Sequence, residues 1–169
     1  MPESLDIEFE KALRMLVARL PVSHEGAKKP VLFHVVRVGV YLYENNYSRD
    51  AVIAGLLHDA LEWSGVTEEL VRTEFGETVL QLVKANTKNR SIENLEERIE
   101  ELANRAAEAG RDALIIRAAD TLDSFKHYTK TKNLPELDYC QKNAMAIFKF
   151  KPDDFTDGVF EELGGFIKD

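Results

Sequence analysis

The sequence predicts an all-α protein, and two observations carry this prediction. Apolar residues recur every three or four positions along almost the whole chain, which is the spacing of one face of a helix. No segment shows the alternation of apolar and polar residues that is typical of a half-buried strand. We therefore expect a compact bundle of helices. The apolar face of the first helix consists of Leu5, Phe9, Leu13, Leu16 and Leu20.

Helix boundaries are marked by residues that cap or end helices. Ser48, Thr67 and Asn133 carry side-chain oxygens suited to the N-cap position, and Asn133 is followed three residues later by a glutamate, as in a capping box. Gly76 and Gly110 stand where a helix is expected to end. With the apolar spacing, these signals predict helices over 5–20, 31–46, 48–61, 67–75, 77–86, 91–110, 112–128 and 133–148, and a last helix from Thr156.

Length and charge limit the classes of protein to which the chain can belong. Its 169 residues suit one domain of ordinary size, and we expect a single domain over 1–169. Hydrophobic residues make up 44% and charged residues 31%, which is the composition of a soluble globular protein. The net charge of −8 repels a phosphate backbone and argues against extended nucleic acid as a partner. It does not exclude a small phosphorylated substrate, because a bound metal can reverse the potential locally.

Signals of compartment favour the cytoplasm. Cys140 is the single cysteine of the sequence, so no intrachain disulfide can form, and we expect it to be a small buried or half-buried hydrophobic residue. The N-terminal segment is acidic and amphipathic, unlike a signal peptide. No apolar run reaches the roughly 20 residues of a membrane-spanning helix. We therefore expect a cytoplasmic protein without membrane contacts.

The clearest chemical signal lies in segment 54–63, AGLLHDALEW. His58 and Asp59 are titratable residues in an otherwise apolar stretch, and burying them without partners would be costly. Glu62 lies four residues after His58 and three after Asp59, which on a continuous helix places all three side chains in one arc of the surface. The segment therefore presents two candidate metal ligands and a further carboxylate to the same space.

Two other polar residues stand in apolar helices elsewhere in the sequence. His34 lies near the start of the second predicted helix, and Asp120 lies within ALIIRAADTLDS. Taken alone, His58 and Asp59 have a simpler explanation as a structural polar network or a solvated helix end. Asp120 likewise has one as the ion-pair partner of Arg117, one turn earlier. A metal site is favoured because it accounts for all four residues together.

The order His…His-Asp…Asp on three helices resembles the signature of the HD-domain superfamily of metal-dependent phosphohydrolases. The resemblance is most specific to the hydrolase domain of the RelA/SpoT-type (p)ppGpp enzymes and covers roughly residues 23–130. It implies an HD-domain helical bundle, to which the residues from about 133 to 167 add packing helices. The segments that carry it are KKPVLFHVVRVGVYL, DAVIAGLLHDALEW, VTEELVRTEFGETVLQLVKANTK and ALIIRAADTLDS.

The resemblance implies a metal centre and a mechanism. It assigns His34, His58, Asp59 and Asp120 as ligands of a divalent metal. It favours manganese. Mixed nitrogen and oxygen ligands suit manganese or iron and do not exclude zinc, magnesium or nickel. Glu62 matches the family's glutamate near the reacting water, so we expect Glu62 and Asp59 to be the catalytic residues. The alternative for Glu62 is a solvated residue at a helix end.

Substrate contacts are implied less completely. The chain departs from the family pattern where Trp63 replaces an aspartate, Thr121 an arginine and Ser124 an asparagine, and the arginine-containing stretch before the first histidine is shortened to AKKP. For each candidate cation, the alternative is the role of an ordinary surface residue. For Trp63, the alternative is packing at the core or its rim. The candidate substrate contacts are Lys28, Lys29, Arg37, Trp63, Lys88 and Ser124, with Lys126 as a further candidate phosphate contact.

The expected function is hydrolysis of a phosphate ester or pyrophosphate in a nucleotide, with (p)ppGpp 3′-pyrophosphate removal as the best match. Two alternatives keep the fold: a nucleoside monophosphate phosphatase, and a degenerate HD domain that binds a nucleotide or a protein partner without turnover. His24 lacks companions at ligand spacing and is expected at the surface. The aromatic residues near the C-terminus form a homodimer surface or complete the core; they are Phe148, Phe150, Phe155 and Phe160.

Overall fold

The structure is a computed structural model that describes residues 3–23, 27–63 and 65–168. In this part of the chain it contains helices and no strands, which confirms the all-α prediction. The chain divides into two compact units, Met1–Thr87 and Lys88–Asp169, and the single domain over 1–169 stays a prediction. The helices are α1 Leu5–Arg19, α2 Val31–Glu44, α3 Arg49–Leu57, α4 Ala60–Trp63, α5 Glu68–Phe75, α6 Glu77–Asn86, α7 Leu95–Ala109, α8 Arg111–Thr131, α9 Leu134–Phe150 and α10 Gly158–Gly164.

The first unit is organised by a close crossing of α2 and α3. Helix α3 also packs against α1 and α6. Each of the two crossing helices has a glycine at the contact. A Cβ on Gly39 would lie 2.5 Å from Cγ of Leu56, and a Cβ on Gly55 would lie 2.3 Å from Cδ1 of Leu42. Both leucines are fully buried, so neither has room to move aside. Gly39, which breaks the apolar pattern of its helix, is therefore explained by the packing of α3.

A charged cluster connects α1, α3 and α5 in the same unit. The Arg49 guanidinium donates to both carboxylate oxygens of Glu8, and the distance from Nε to Oε2 is 2.8 Å. Its Nη1 donates to the Asp50 carboxylate at 2.6 Å and to the Phe75 carbonyl at 3.0 Å. The hydrogen bonds from Arg49 hold the pKa of Glu8 below its ordinary value, although burial opposes them.

The second unit is built around α8, which packs against α7, α9 and α10. The predicted caps at Asn133, Ser48 and Thr67 are confirmed, since each side chain accepts a hydrogen bond from the first turn of its helix. Two predicted starts are wrong. The helix expected from 91 begins after Asn94, and the one expected from 156 begins after Asp157, because these two side chains provide the caps.

Several buried positions match the expectations from the sequence. Cys140 is buried, as predicted for a small hydrophobic residue. Phe160 is also buried, which favours core packing for this aromatic residue, while the homodimer surface stays a prediction. Within the described residues, no helix is long and apolar enough to cross a membrane.

Candidate metal centre

The His-Asp pair of the first unit lies at a break between two helices. α3 ends before His58, and α4 begins after Asp59. His58 Nδ1 donates to the Gly55 carbonyl oxygen at 2.7 Å, and this carbonyl would accept from the Asp59 N–H if the helix continued. Past the break, the Glu62 N–H donates to the Asp59 carbonyl at 3.1 Å. The predicted continuous helix over 48–61, on which these side chains would share one arc, is therefore wrong.

The hydrogen bonds of the two histidines fix which ring nitrogen carries a lone pair. Since a carbonyl can only accept, His58 Nδ1 is protonated, and in the neutral ring Nε2 carries the lone pair. Lys29 Nζ lies 3.2 Å from His34 Nε2, and since an ammonium can only donate, His34 Nε2 is the accepting nitrogen. Both rings are buried, and their centroids lie 5.2 Å apart. Each imidazole is therefore in a tautomer that can bind a metal through Nε2.

The Asp59 carboxylate lies against the same two nitrogens. Its Oδ2 is 3.5 Å from His58 Nε2 and 3.9 Å from His34 Nε2. Ligand atoms about 2.1 Å from a tetrahedral ion are separated by roughly 3.4 Å, so the distances observed are close to those that a shared ion requires. Two imidazole nitrogens and a carboxylate oxygen, all on buried residues, fit a divalent metal.

In the second unit, Asp120 lies in the interior of α8. Arg117 Nη2, one turn earlier on the same helix, donates to Asp120 Oδ2, and both residues are buried. The ion pair considered from the sequence is therefore present, and it is inside the protein rather than at its surface. An ion pair and a metal can share one carboxylate, because two oxygens offer about four acceptor sites. The role of Asp120 as a metal ligand stays a prediction.

The remaining candidates of the first unit differ in exposure. Glu62 is half-buried, and Trp63 at the end of α4 is 49% exposed, so the structure does not place its ring in the core. Lys28 is exposed. The Arg37 guanidinium lies 5.0 Å from the centroid of the Phe33 ring, which is itself 64% exposed. These placements leave the substrate contacts as predictions.

The structure also shows the positions of the candidate substrate contacts in the second unit, whose roles stay predictions. Lys88 is half-buried, and Ser124 is buried on α8. Lys126 Nζ lies 2.6 Å from the Glu162 carboxylate, so the ion-pair role of a surface cation is the one observed. His24, expected at the surface, lies outside the described residues.

Sequence reasoning missed contacts that two of the candidate residues make. The Gly55 carbonyl, which orients His58, has no side-chain signal, and only the glycine in an apolar helix marks its position. Phe33 stands directly before His34 and four residues before Arg37, a spacing that predicts the observed contact between the aromatic ring and the guanidinium.

Comparison with known proteins supports the family. Residues 12–149 match the family described as HD domain. The chain is 31% identical over 100 residues to the guanosine-3′,5′-bis(diphosphate) 3′-pyrophosphohydrolase of Aquifex aeolicus, covering 58% of this chain and 14% of that protein. It is 32% identical over 99 residues to the guanosine-3′,5′-bis(diphosphate) 3′-pyrophosphohydrolase MESH1 of Drosophila melanogaster, covering 57% of this chain and 55% of that protein. The chain thus spans less than two thirds of the length of either relative.

A solved structure supports the fold. A metazoan ortholog of SpoT, described as hydrolyzing ppGpp and acting in starvation responses, aligns with a TM-score of 0.76 over 98% of this chain and 95% of that chain. Its sequence is 20% identical, so the likeness concerns the fold alone. The family match covers well over half of the sequence and includes all four candidate ligands. The chain therefore belongs to the HD domain family.

Proposed function

We propose that the protein is a metal-dependent phosphohydrolase acting on a nucleotide phosphate or pyrophosphate, with (p)ppGpp 3′-pyrophosphate removal as the specific reaction. The observation that carries the proposal is the buried group formed by His34, His58 and Asp59, in which Nε2 is the nitrogen that each neutral imidazole can offer to a metal. The names of the curated relatives support the substrate.

The proposed metal ligands are His34, His58, Asp59 and Asp120. His34, His58 and Asp120 are all buried, and each offers one atom that can bind a metal ion. Manganese is the proposed metal because mixed nitrogen and oxygen ligands suit it and the RelA/SpoT resemblance favours it. A bound divalent ion would make a water molecule more acidic and offset the charge that develops on the phosphate.

The protein's own residues supply orientation and proton transfer. The Gly55 carbonyl accepts from Nδ1 and fixes the His58 ring, so that Nε2 keeps its direction. Glu62 follows the break by one turn, and we assign it the transfer of a proton to or from the reacting water and leaving group. Lys29 contacts the nitrogen of His34 that a metal would use, so its ammonium must move away and becomes available to a phosphate oxygen.

The substrate contacts extend this proposal. Trp63 offers a half-exposed ring on which a base can stack. Arg37, lying over the exposed ring of Phe33, offers a planar cation for a phosphate. Lys28, Lys88 and Ser124 complete the proposed contacts. The cytoplasmic location and the homodimer also stay proposals that come from the sequence.

The test measures phosphate and pyrophosphate release with added Mn²⁺ from ppGpp and from nucleoside monophosphates. The wild type is compared with His58→Ala/Asp59→Ala, whose folding is checked by circular dichroism, and with His127→Ala as a control histidine on α8. His58→Gln, which keeps more of the side-chain volume, replaces the double variant if that variant does not fold. We expect pyrophosphate from ppGpp in the wild type and the control, and none in the site variant.

Other outcomes point to the alternatives. Phosphate released from a monophosphate, with ppGpp left intact, would replace the proposed substrate by that of a nucleoside monophosphate phosphatase. No release of either product by protein that contains metal would overturn the hydrolase proposal in favour of an HD domain that binds without turnover.

A further inference from the structure

The ion pair between Arg117 and Asp120 lies in an unusual place for one formed within a helix. Both residues are buried, with 5% and 6% of their surfaces exposed, and Arg117 Nη2 donates to Asp120 Oδ2. Their neighbours Ala118, Ala119 and Leu122 are buried apolar residues. By contrast, pairs between residues three or four apart on a helix are commonly exposed and contribute only about 0.3–0.5 kcal/mol.

Stability alone is a weak reason for such a pair. Removing two charges from water is costly, and apolar residues of similar volume often give equal or better stability than a buried ion pair. An ionised carboxylate that is buried in the protein does require a cation nearby, because an isolated buried charge is far more costly still. The pair is therefore best explained by a need for the Asp120 carboxylate itself, with Arg117 making that carboxylate tolerable and fixing its orientation.

The chemistry of a carboxylate allows it to bind a guanidinium and a metal ion at the same time. Arg117 Nη2 donates to Oδ2, and an aspartate offers two oxygens with about four acceptor sites. Both side chains are buried, so neither can rotate freely into solvent. A guanidinium confined in this way restricts the rotation of the carboxylate and so determines where Oδ1 points.

We propose that Arg117 is a positioning residue of the metal centre, which orients the Asp120 carboxylate for binding the ion. This inference rests on the proposed function, since it takes Asp120 as one of the metal ligands. Loss of a residue that hydrogen-bonds to a metal ligand typically weakens metal binding by about 10- to 100-fold. A purely electrostatic influence would act in the opposite direction, because removing a positive charge beside a cation site strengthens cation binding.

The experiment measures the dissociation constant for Mn²⁺ alone by isothermal titration calorimetry, using the full chain. Arg117→Met removes the guanidinium, and Arg117→Lys keeps the charge but not the planar shape. Arg105→Met is the matched control, since Arg105 pairs with Glu101 four residues away on α7 in the same unit but is only partly buried. We expect about 10- to 100-fold weaker binding for Arg117→Met, an intermediate loss for Arg117→Lys and no change for Arg105→Met.

Mn²⁺ binding by folded Arg117→Met that equals or exceeds that of the wild type would overturn the inference and leave the proposed function intact. If Arg117→Met does not fold, Arg117→Lys is compared in the wild type and in Asp120→Asn. Because Arg117 acts through Asp120, its replacement should weaken binding only when the carboxylate is present, and equal losses in both backgrounds would contradict the proposal. A wild-type chain that binds no Mn²⁺ would overturn the proposed function and this inference together.

Discussion

The two units accommodate their buried polar residues in different ways. In the first unit, the His-Asp pair lies at a break between helices, and His58 takes part in the break by donating to the Gly55 carbonyl. In the second unit, Asp120 lies within α8, which runs without interruption from Arg111 to Thr131 and provides Arg117 one turn earlier. The first unit changes its backbone around a polar side chain, whereas the second keeps its backbone and supplies a counter-charge.

The charge of each side chain explains the difference between His58 and Asp120. A neutral imidazole is satisfied by a hydrogen bond, and a backbone carbonyl near the end of a helix can provide one. An ionised carboxylate can only accept, and within a helix the nearby backbone N–H groups are already engaged. The buried Asp120 carboxylate therefore takes its donor from a cationic side chain on the same face, that of Arg117. The break also places Glu62 on a separate helix, α4, directly after the His-Asp pair.

The largest expected effect tests whether Glu62, which follows the break in the first unit, takes part in the reaction. Glu62→Gln keeps the size of the side chain and removes its ability to carry a proton. We expect kcat for the proposed hydrolysis to fall by about 10²- to 10⁴-fold, because general acid or base catalysis contributes that much. Affinity for Mn²⁺ should not change, since Glu62 is not among the proposed ligands. Steady-state kinetics and metal titration measure the two quantities.

Glu161→Gln on α10 is the control for Glu62→Gln, since Glu161 is an exposed carboxylate of the second unit. It should leave both kcat and metal affinity unchanged. A wild-type kcat in Glu62→Gln would show that Glu62 is the solvated helix-end residue that the sequence offered as an alternative.

A second expected effect concerns the packing that holds the site of the first unit. Gly55→Ala places a methyl group 2.3 Å from Cδ1 of the buried Leu42, so α2 and α3 must separate. Overpacking of this kind costs about 1–3 kcal/mol in the free energy of unfolding. It should also weaken Mn²⁺ binding, because His34 is on α2 and His58 follows α3. Urea unfolding and metal titration test the two effects.

The matched control is Gly158→Ala in α10 of the second unit. A Cβ there would meet nothing within 4 Å, so we expect no loss of stability and a gain of up to about 1 kcal/mol. Equal destabilisation by the two substitutions would show that the crossing of α2 and α3 is not the constraint described above.

The sequence predicted well what depends on short-range interactions. The caps at Ser48, Thr67 and Asn133 were found because a capping side chain bonds to its own helix within three residues. The starts at 91 and 156 were missed because other oxygens nearby, those of Asn94 and Asp157, provide the caps. Where several capping residues stand close together, composition does not decide among them.

The candidate site was predicted less completely. The apolar pattern continues through His58, so it gave no sign that the ring would engage the Gly55 carbonyl and end α3. The role of Gly39 depends on a partner helix, which spacing along one helix does not show. The contact of Lys29 with His34 was also missed, although both residues were singled out, because a flexible side chain leaves no periodic signal.

The smallest expected effect compares the ion pairs of the two units as a function of pH. Arg49 donates hydrogen bonds to Glu8 and lowers the pKa of that carboxyl from its ordinary value of 4.5, against the opposing effect of burial. The contribution to stability is therefore fully present above that value and is lost as the pH falls through the lowered folded-state pKa. Glu8→Gln should reduce the free energy of unfolding by about 1 kcal/mol at neutral pH, and the difference from wild type should shrink as the pH falls below the ordinary pKa of the carboxyl.

Urea unfolding at neutral pH and over a series of acidic pH values measures this difference, with Glu162→Gln as the control from the second unit. Glu162 pairs with Lys126, and both side chains are largely open to solvent, at 40% and 45% exposure. Solvent screens such a pair, so its loss should change stability by no more than about 0.5 kcal/mol. A Glu8→Gln effect that does not depend on pH would mean that the carboxylate stabilises the first unit by packing alone. In that case the Arg49 cluster would not be the electrostatic connection between α1, α3 and α5 that its hydrogen bonds indicate.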